Sequence, residues 1–181
     1  IPVIAEQAAE LVVFQRTPAY SFPARNRRLR PDEVARMKAN YRAFRQAQRE
    51  SAFGLPTPLP AKSALEVSDE ERNATYEKAW QEGSLVAILT AYNDLLTSKE
   101  ANDTAKRFVH GKIRQIVKDP QTAEDLCPDY PVGTKRPCLD TGYYETFNRE
   151  NVRLVNLRRT PIVEVTERGI RTTDREYEFD A

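Results

Sequence analysis

The sequence predicts a mixed α/β fold in which a block of helices interrupts a framework of short strands. A wholly apolar run of strand formers, residues 11–14, lies near the start of the chain, and four β-rich segments lie near its end. Between these regions, apolar residues recur at spacings of three and four, which is typical of helices that bury one face. This order predicts a helical insertion carried by an α/β framework.

The first fifteen residues predict a helix followed by a strand. The stretch from Pro2 to Glu10 is helix-like, and the four residues from Leu11 to Phe14 are all apolar. A strand that is apolar at every position is expected to be buried on both faces, as in a parallel sheet. We therefore predict that residues 11–14 form a buried parallel strand.

Four helices are predicted in the middle of the chain, and each has an apolar stripe at helical spacing. The first begins at Pro31, the second runs from the capping box of residues 68–71 to Gly83, and Pro120 starts one more turn after the fourth. The stripes are Val34, Met37, Tyr41 and Phe44; Tyr76, Ala79 and Trp80; Leu85, Ile88, Leu89, Tyr92, Leu95 and Leu96; and Ala105, Phe108, Val109, Ile113, Ile116 and Val117. The proline-rich residues 55–60 predict an extended loop.

The C-terminal part of the chain predicts a small antiparallel meander. Four β-rich segments are separated by Thr-Pro, Arg-Gly and Asp-Arg turns. They are residues 151–157, 161–166, 169–173 and 176–179. Just before them, Tyr143, Tyr144 and Phe147 are predicted to lie on a short helix that packs against the sheet.

The composition excludes several classes of protein. With 28 Lys+Arg against 27 Asp+Glu, the chain is neither uniformly basic nor uniformly acidic, so we expect no nucleic-acid partner outside a local patch. No apolar run approaches the roughly 18 residues of a membrane helix, so we expect no membrane partner. Cys127 and Cys138 lack a second pair or a clustered histidine, so we expect no metal site, no disulfide framework and a cytoplasmic location.

Arg16 follows the predicted parallel strand directly. The carboxyl ends of such strands are where open α/β sheets bind ligands. A site for NAD usually has Asp or Glu at this position, whereas Arg suits the additional 2′-phosphate of NADP, and no acid occurs between Leu11 and Ser21. The alternative is that Arg16 is a solvated surface charge.

Lys135 and Arg136 lie in a loop bounded by Gly133 and Pro137, a setting that can hold cations over a bound anion. Four adjacent basic pairs occur in the chain, which is about the number expected by chance, so the pairing itself carries no weight. Cys138 either lines a pocket or is a small buried thiol. His110 has no ligand or nucleophile motif nearby and is expected to be structural.

Residues 19–50 carry nine Lys+Arg against three Asp+Glu, which makes them a candidate surface for nucleic acid or an acidic partner. The alternative is a solvated helix face whose charge is offset by acidic residues at positions 66–82. We favour the second interpretation, because the aromatic residues of this stretch follow the predicted core stripe and do not alternate with the charges.

Four stretches together resemble the flavin-dependent Baeyer–Villiger monooxygenases, in particular the phenylacetone, steroid and cyclic-ketone enzymes. They read IPVIAEQAAELVVFQRTP at 1–18, KSALEVSDEE at 62–71, YPVGTKRP at 130–137 and TGYYETFNRENV at 141–152. The resemblance covers essentially the whole chain in order. It implies an enzyme that uses NADPH, FAD and O₂ to convert a ketone substrate into an ester or a lactone.

The resemblance also implies how the chain is organised. Residues 1–27 would begin a Rossmann-like NADP-binding domain, residues 28–130 would be a mostly helical insertion, and residues 131–181 would return to that domain with an antiparallel β-meander. In the family, a Gly-rich turn precedes the first helix and an Ala-Thr-Gly strand follows the meander. We therefore expect a fragment that does not turn over alone, whose partner is the FAD domain of the same parent chain.

The resemblance assigns roles to individual residues by position. Arg16, with Thr17 beside it, would bind the 2′-phosphate of NADPH together with Lys135. Arg136 would be the catalytic arginine, because an oxidation that passes through successive oxyanions needs a permanent cation that cannot protonate them. Pro137 and Cys138 would border the ketone pocket, or would serve loop geometry alone. The remaining alternatives are a flavin monooxygenase that oxidises nitrogen or sulfur, and a non-catalytic helical binding module.

Overall fold

The computed structural model describes residues 1–51, 54, 60–84 and 86–180, and it has a mixed α/β fold. The elements in chain order are α1 (Pro2–Gln7), β1 (Leu11–Gln15), β2 (Ser21–Pro23), α2 (Pro31–Ala39), α3 (Tyr41–Glu50), α4 (Asp69–Glu82), α5 (Lys99–Ile116), α6 (Pro120–Asp125), β3 (Cys138–Asp140), α7 (Tyr143–Thr146), β4 (Val152–Asn156), β5 (Ile162–Thr166), β6 (Gly169–Thr172) and β7 (Glu176–Glu178). Of the predicted loop at 55–60, residues 55–59 lie outside the described residues.

Strands β1 and β4 form a parallel pair whose register runs from Leu11 opposite Val152 to Gln15 opposite Asn156. The prediction of a parallel strand is confirmed, but the prediction that it is buried on both faces is wrong. Gln15 is buried, residues 11–14 are only half-buried, and β4 is the one strand neighbour of β1 among the described residues. The segment 151–157 was predicted in the antiparallel meander and instead pairs with β1, since Val152 and Leu154 pack against the core.

Strands β5, β6 and β7 form a three-stranded antiparallel sheet with β6 in the centre. Gly169 begins β6, and a Cβ atom there would collide with the carbonyl oxygen of Tyr177 on β7, so this register requires glycine. The ring of Tyr177 meets Phe14 of β1 edge to face, with ring centroids 5.0 Å apart. This aromatic contact joins the antiparallel sheet to the parallel pair.

Helices α4 and α5 carry the main core, and their ends match the capping signals in the sequence. The hydroxyl of Ser68 accepts a hydrogen bond of 3.1 Å from the amide of Glu71, and α4 ends at Gly83 with a φ of +67°. Tyr76, Ala79 and Trp80 are buried, as their spacing predicts. The buried side chains of α5 are Ala101, Asn102, Thr104, Ala105, Val109 and Ile113.

The predicted helix over residues 85–96 is wrong for the residues that the structure describes, which form turns between α4 and α5. Asp94 accepts hydrogen bonds from the hydroxyl of Ser63 and the amide of Ala64, and the amide of Asn93 donates to the carbonyl of Lys62. Hydrogen bonds of this kind compete with the backbone hydrogen bonds that a regular helix would form. The stripe still predicted Ile88, Tyr92 and Leu95 as buried, whereas Leu96 is exposed and Leu85 lies outside the described residues.

The helix predicted from Pro31 is two helices, α2 and α3, which meet at Asn40. Both are fully described, and none of their side chains is buried; Met37 is 47% exposed and Tyr41 is 57% exposed. The prediction that this apolar stripe faces the core is therefore wrong. Within the described part of the chain, no cation of α2 or α3 forms an ion pair with the acidic residues at 66–82, so these residues do not neutralise the basic stretch by direct contact.

The short parallel pair of β2 and β3 joins the region after Arg16 to the region after Arg136. Ser21 lies opposite Cys138, and the amide of Cys138 donates a hydrogen bond of 2.8 Å to the carbonyl of Tyr20. The short helix α7 follows; Tyr144 within it and Phe147 directly after it are buried in the core. No helix in the described ranges has the length and apolar character to cross a bilayer.

Candidate cofactor-binding site

Arg16 lies at the carboxyl end of β1, directly after Gln15, whose side chain and backbone are both held by hydrogen bonds. The side-chain amide of Gln15 donates a hydrogen bond of 2.7 Å to the carbonyl of Asp125, and the carbonyl of Gln15 accepts one of 2.9 Å from the amide of Leu157. Arg16 itself is exposed, Thr17 is half-buried and Pro18 is buried. The backbone therefore presents the guanidinium to solvent from an anchored position.

Tyr130 connects the segment that carries Arg16 to the loop that carries Lys135. Its hydroxyl donates a hydrogen bond of 3.1 Å to the carbonyl of Pro18, and its own carbonyl accepts one of 2.7 Å from the hydroxyl of Tyr20. The ammonium of Lys135 lies 4.7 Å from the centroid of the Tyr130 ring, within the range of a cation–π contact. Both segments are thus brought to one tyrosine.

Asn102 of α5 holds the start of the same loop. Its side-chain oxygen accepts a hydrogen bond of 2.9 Å from the amide of Val132, and its side-chain nitrogen donates bonds of 2.8 Å to the carbonyls of Val132 and Leu95. Asn102 is 4% exposed, so these bonds form away from water. Gly133 then turns the chain with a φ of +89°, and a Cβ atom there would press on the side chains of Leu96 and Leu89.

The loop is therefore held at both ends, with its two cations between the anchors. Val132 is fixed by Asn102 at one end, and Cys138 is fixed by Tyr20 at the other. Pro137 is buried, whereas Lys135 and Arg136 are exposed. A short loop with two fixed ends restricts where its charged side chains can reach.

Two acidic residues of this region, Asp125 and Asp129, are paired with other arginines. Arg158 lies 3.0 Å from a carboxylate oxygen of Asp129 and holds the pKa of that carboxyl below its usual range. Burial alone would raise the pKa of Asp125, but hydrogen bonds from Arg159 and Asn156 hold it below its usual range.

By contrast, Arg16, Lys135 and Arg136 have no ion-pair partner among residues 1–51, 54, 60–84 and 86–180. Their positive charge is thus available to an anionic ligand.

Cys138 lines a cleft of about 510 Å³ between the start of α1 and the strands β2 and β3. Its wall also contains Ser21 and Asp140, and the hydroxyl of Ser21 donates a hydrogen bond of 2.5 Å to the Asp140 carboxylate. Cys138 is exposed, so the alternative of a buried thiol is wrong for it. Pro137 is not part of the lining, so the structure does not bring these two neighbours to the same pocket.

The surroundings of His110 and Cys127 indicate structural roles for both side chains. The Nε2 atom of His110 lies 2.9 Å from the carbonyl oxygen of Pro128, and its ring stacks on Tyr20; burial lowers the pKa of this imidazole. Burial likewise raises the pKa of the Cys127 thiol to about 11, so it stays protonated near neutrality. No cluster of three His, Cys, Asp or Glu side chains suited to a metal ion occurs in the described part of the chain.

Sequence reasoning identified the three cations but missed the residues that position them. Tyr130 stands inside one of the stretches that carry the family resemblance, and Tyr20 lies two residues after Pro18. The signal for Asn102 is its spacing, since it shares the buried face of α5 with Ala105 and Val109. An amide on an apolar helix face indicates a buried hydrogen-bonding partner.

Known proteins resemble this chain over nearly all of its length. A 2-oxo-Δ³-4,5,5-trimethylcyclopentenylacetyl-CoA monooxygenase of Pseudomonas putida is 40% identical over 181 residues, which are 99% of this chain and 33% of the relative. A Baeyer–Villiger monooxygenase of Pseudooceanicola batsensis is 38% identical over 182 residues, again 99% of this chain and 33% of the relative. This chain is similar throughout to a segment of the Baeyer–Villiger monooxygenases.

Solved structures agree with that similarity. Oxidised steroid monooxygenase bound to NADP matches with a TM-score of 0.93 and 51% identity, over 99% of this chain and 34% of the other. OTEMO in complex with FAD and NADP matches with a TM-score of 0.95 and 39% identity, over the same shares of the two chains. This chain therefore spans about one third of the length of its Baeyer–Villiger relatives.

One relative is named for a different oxygenation. Phenazine N-monooxygenase PhzNO1 of Lysobacter antibioticus is 38% identical over 168 residues, which are 92% of this chain and 31% of the relative. No family model matches the sequence. The similarity thus includes a monooxygenase named for the oxygenation of nitrogen, and the substrate class has to be argued separately.

Proposed function

We propose that this chain is the NADPH-binding segment of an FAD- and NADPH-dependent Baeyer–Villiger monooxygenase, which inserts one oxygen atom from O₂ beside a ketone carbonyl to give an ester or a lactone. The observation that carries the proposal is the whole-chain match to an NADP-bound steroid monooxygenase at 51% identity. The contacts of Tyr130 with Pro18 and Lys135 support the NADPH-binding part of it, because they bring the segments of Arg16 and Lys135 to one residue.

In this proposal, residues 1–27 and 131–181 belong to a Rossmann-like NADP-binding domain, and residues 28–130 are its mostly helical insertion. The parallel pair of β1 and β4 supports this division, because it joins residues 11–15 to residues 152–156 across the helical region. The sheet of β5, β6 and β7 is the proposed meander of that domain. The partner is an FAD domain elsewhere on the parent chain, and neither nucleic acid nor a membrane takes part.

Arg16 and Lys135 are the residues proposed to hold the 2′-phosphate of NADPH, with Thr17 beside them. Their chemistry fits this group, since a planar guanidinium forms paired hydrogen bonds with phosphate and an ammonium adds a compact point charge with three donors. Both are exposed and have no carboxylate partner within the described residues. Their segments meet at Tyr130, so one phosphate is proposed to contact both cations.

Arg136 is the proposed catalytic residue. When bound, mostly by the rest of the parent chain, FAD would activate O₂ with reducing equivalents that come from NADPH. A guanidinium is a permanent cation, so in this role Arg136 stabilises negative charge as it develops on oxygen and does not donate a proton to it. The anchors at Val132 and Cys138 support this role, because electrostatic stabilisation depends on a cation that is already in position.

Cys138 and Pro137 are proposed to border the ketone, and the cleft beside Cys138 supports the first of these assignments. A second candidate function is oxygenation of nitrogen, which the phenazine N-monooxygenase relative favours. The experiment that separates the two is to supply the parent enzyme with NADPH, O₂ and either cyclic and steroid ketones or aromatic amines, and to identify the products. Esters or lactones support the proposal, whereas N-oxides without esters contradict it.

A further inference from the structure

We propose that Tyr130 is a positioning residue that holds both cations of the 2′-phosphate site and thereby sets the preference for NADPH over NADH. The inference rests on the proposed function, because it assumes that Arg16 and Lys135 bind that phosphate. Tyr130 has two separate means of positioning them. Its hydroxyl acts on the segment of Arg16, and its ring acts on Lys135.

The hydroxyl of Tyr130 fixes the chain two residues after Arg16. It donates a hydrogen bond of 3.1 Å to the carbonyl of Pro18, which is buried. Burial raises the pKa of this phenol, so the hydroxyl stays protonated and remains a donor near neutral pH. Without this bond, the backbone from Arg16 to Ala19 would be held, among the described residues, only at Gln15 before it and at Tyr20 after it.

The ring of Tyr130 fixes Lys135 by a different contact. The ammonium lies 4.7 Å from the ring centroid, over the electron-rich face. An exposed lysine otherwise samples many rotamers, so a contact that favours one of them lowers the entropy cost of binding a phosphate.

The ring cannot easily move away, because its edge packs against Tyr20 with centroids 5.4 Å apart and its backbone carbonyl accepts the Tyr20 hydroxyl.

This arrangement acts only on a cofactor that has the 2′-phosphate. NADH lacks that group, so loss of Tyr130 should weaken the use of NADPH and leave the use of NADH nearly unchanged. A merely structural role for Tyr130 would impair both cofactors alike. The ratio of kcat/KM for NADPH to that for NADH is therefore the measurement that separates positioning from folding.

The experiment compares Tyr130→Phe and Tyr130→Leu in the full-length, FAD-loaded enzyme. Phe keeps the ring under Lys135 and loses only the hydroxyl, so we expect the ratio to fall by about twofold. Leu loses both contacts, and we expect a fall of about threefold to tenfold. Phe108→Leu is the matched control, since it removes the contact of Lys112 with the Phe108 ring at 5.6 Å and should leave the ratio unchanged.

Arg16→Ala and Lys135→Ala are measured alongside, so that the two hypotheses can fail separately. If both of these variants lower the ratio and Tyr130→Leu does not, the positioning role is overturned and the proposed function stands. If neither lowers the ratio, the assignment of Arg16 and Lys135 to the 2′-phosphate fails, and with it the premise of this inference. Should Tyr130→Leu lose its FAD, Tyr130→Phe decides alone: an unchanged ratio, or an equal loss with both cofactors, overturns the inference.

Discussion

The hydroxyl of Tyr130 donates a hydrogen bond of 3.1 Å to the carbonyl of Pro18, which is 112 positions earlier in the chain. This contact spans the whole helical region and joins the segment of Arg16 to the loop of Lys135 and Arg136. A cofactor site made from such distant segments depends on the residues that hold them together. The side chains beneath the loop therefore deserve as direct a test as the cations themselves.

Replacing Asn102 with alanine should destabilise the chain by about 2–3 kcal/mol, because it leaves the buried amide and carbonyl of Val132 without partners. The measurement is the free energy of unfolding from urea titration. Asn93→Ala is the control, since the exposed Asn93 side chain also donates to a backbone carbonyl and should cost at most about 1 kcal/mol. Equal losses for the two variants would contradict the account of Asn102 as the anchor of the loop.

His110 should make the chain less stable as the pH falls from about 7 to about 5.5. Burial lowers the pKa of His110 in the folded state, whereas the unfolded chain takes up a proton at roughly pH 6.5. Its stabilising contribution is thus complete above that pH and declines below it.

Since His110 is the one histidine of the sequence, His110→Gln should flatten the free energy of unfolding over this range, measured by urea titration at each pH. If the free energy of unfolding changes with pH equally in the unchanged chain and in His110→Gln, His110 is not the cause of the pH dependence.

Arg136→Ala in the full-length enzyme should lower ester formation by a factor of about 100 to 1,000 or more, while NADPH still reduces the flavin. Reduction is followed by the flavin absorbance without O₂, and ester formation by product analysis. Arg107→Ala is the matched control, because Arg107 is also exposed and also ends an adjacent basic pair. Full ester formation by the Arg136 variant would remove its catalytic role.

Much of the fold could be predicted from local signals in the sequence. The cap at Ser68, the glycine end of α4 and the buried stripe of α5 are each encoded within a few residues. The wrong predictions concern segments whose partners are distant in sequence. Residues 86–97 form turns because Asn93 and Asp94 form hydrogen bonds with residues 61–64. Strand β4 is not part of the predicted meander because it pairs with β1, which lies 141 positions earlier in the chain.

The candidate site was likewise predictable from the sequence only in part. Family resemblance marks Arg16, Lys135 and Arg136 by position, but no local pattern shows that Tyr130 contacts two of their segments. The exposed apolar faces of α2 and α3 illustrate the same limit, because periodicity predicts which side of a helix is apolar and not what covers it. Contacts between distant segments had to come from the structure.

The central claim is that Arg16 and Lys135 bind the 2′-phosphate of NADPH, and the most direct test is cofactor preference in the full-length enzyme. Each single alanine variant should lower kcat/KM for NADPH relative to NADH by about 10-fold to 100-fold, since each loses a charged hydrogen bond to phosphate. Arg107→Ala should leave that ratio unchanged. Equal losses with NADPH and NADH in both variants would contradict the claim.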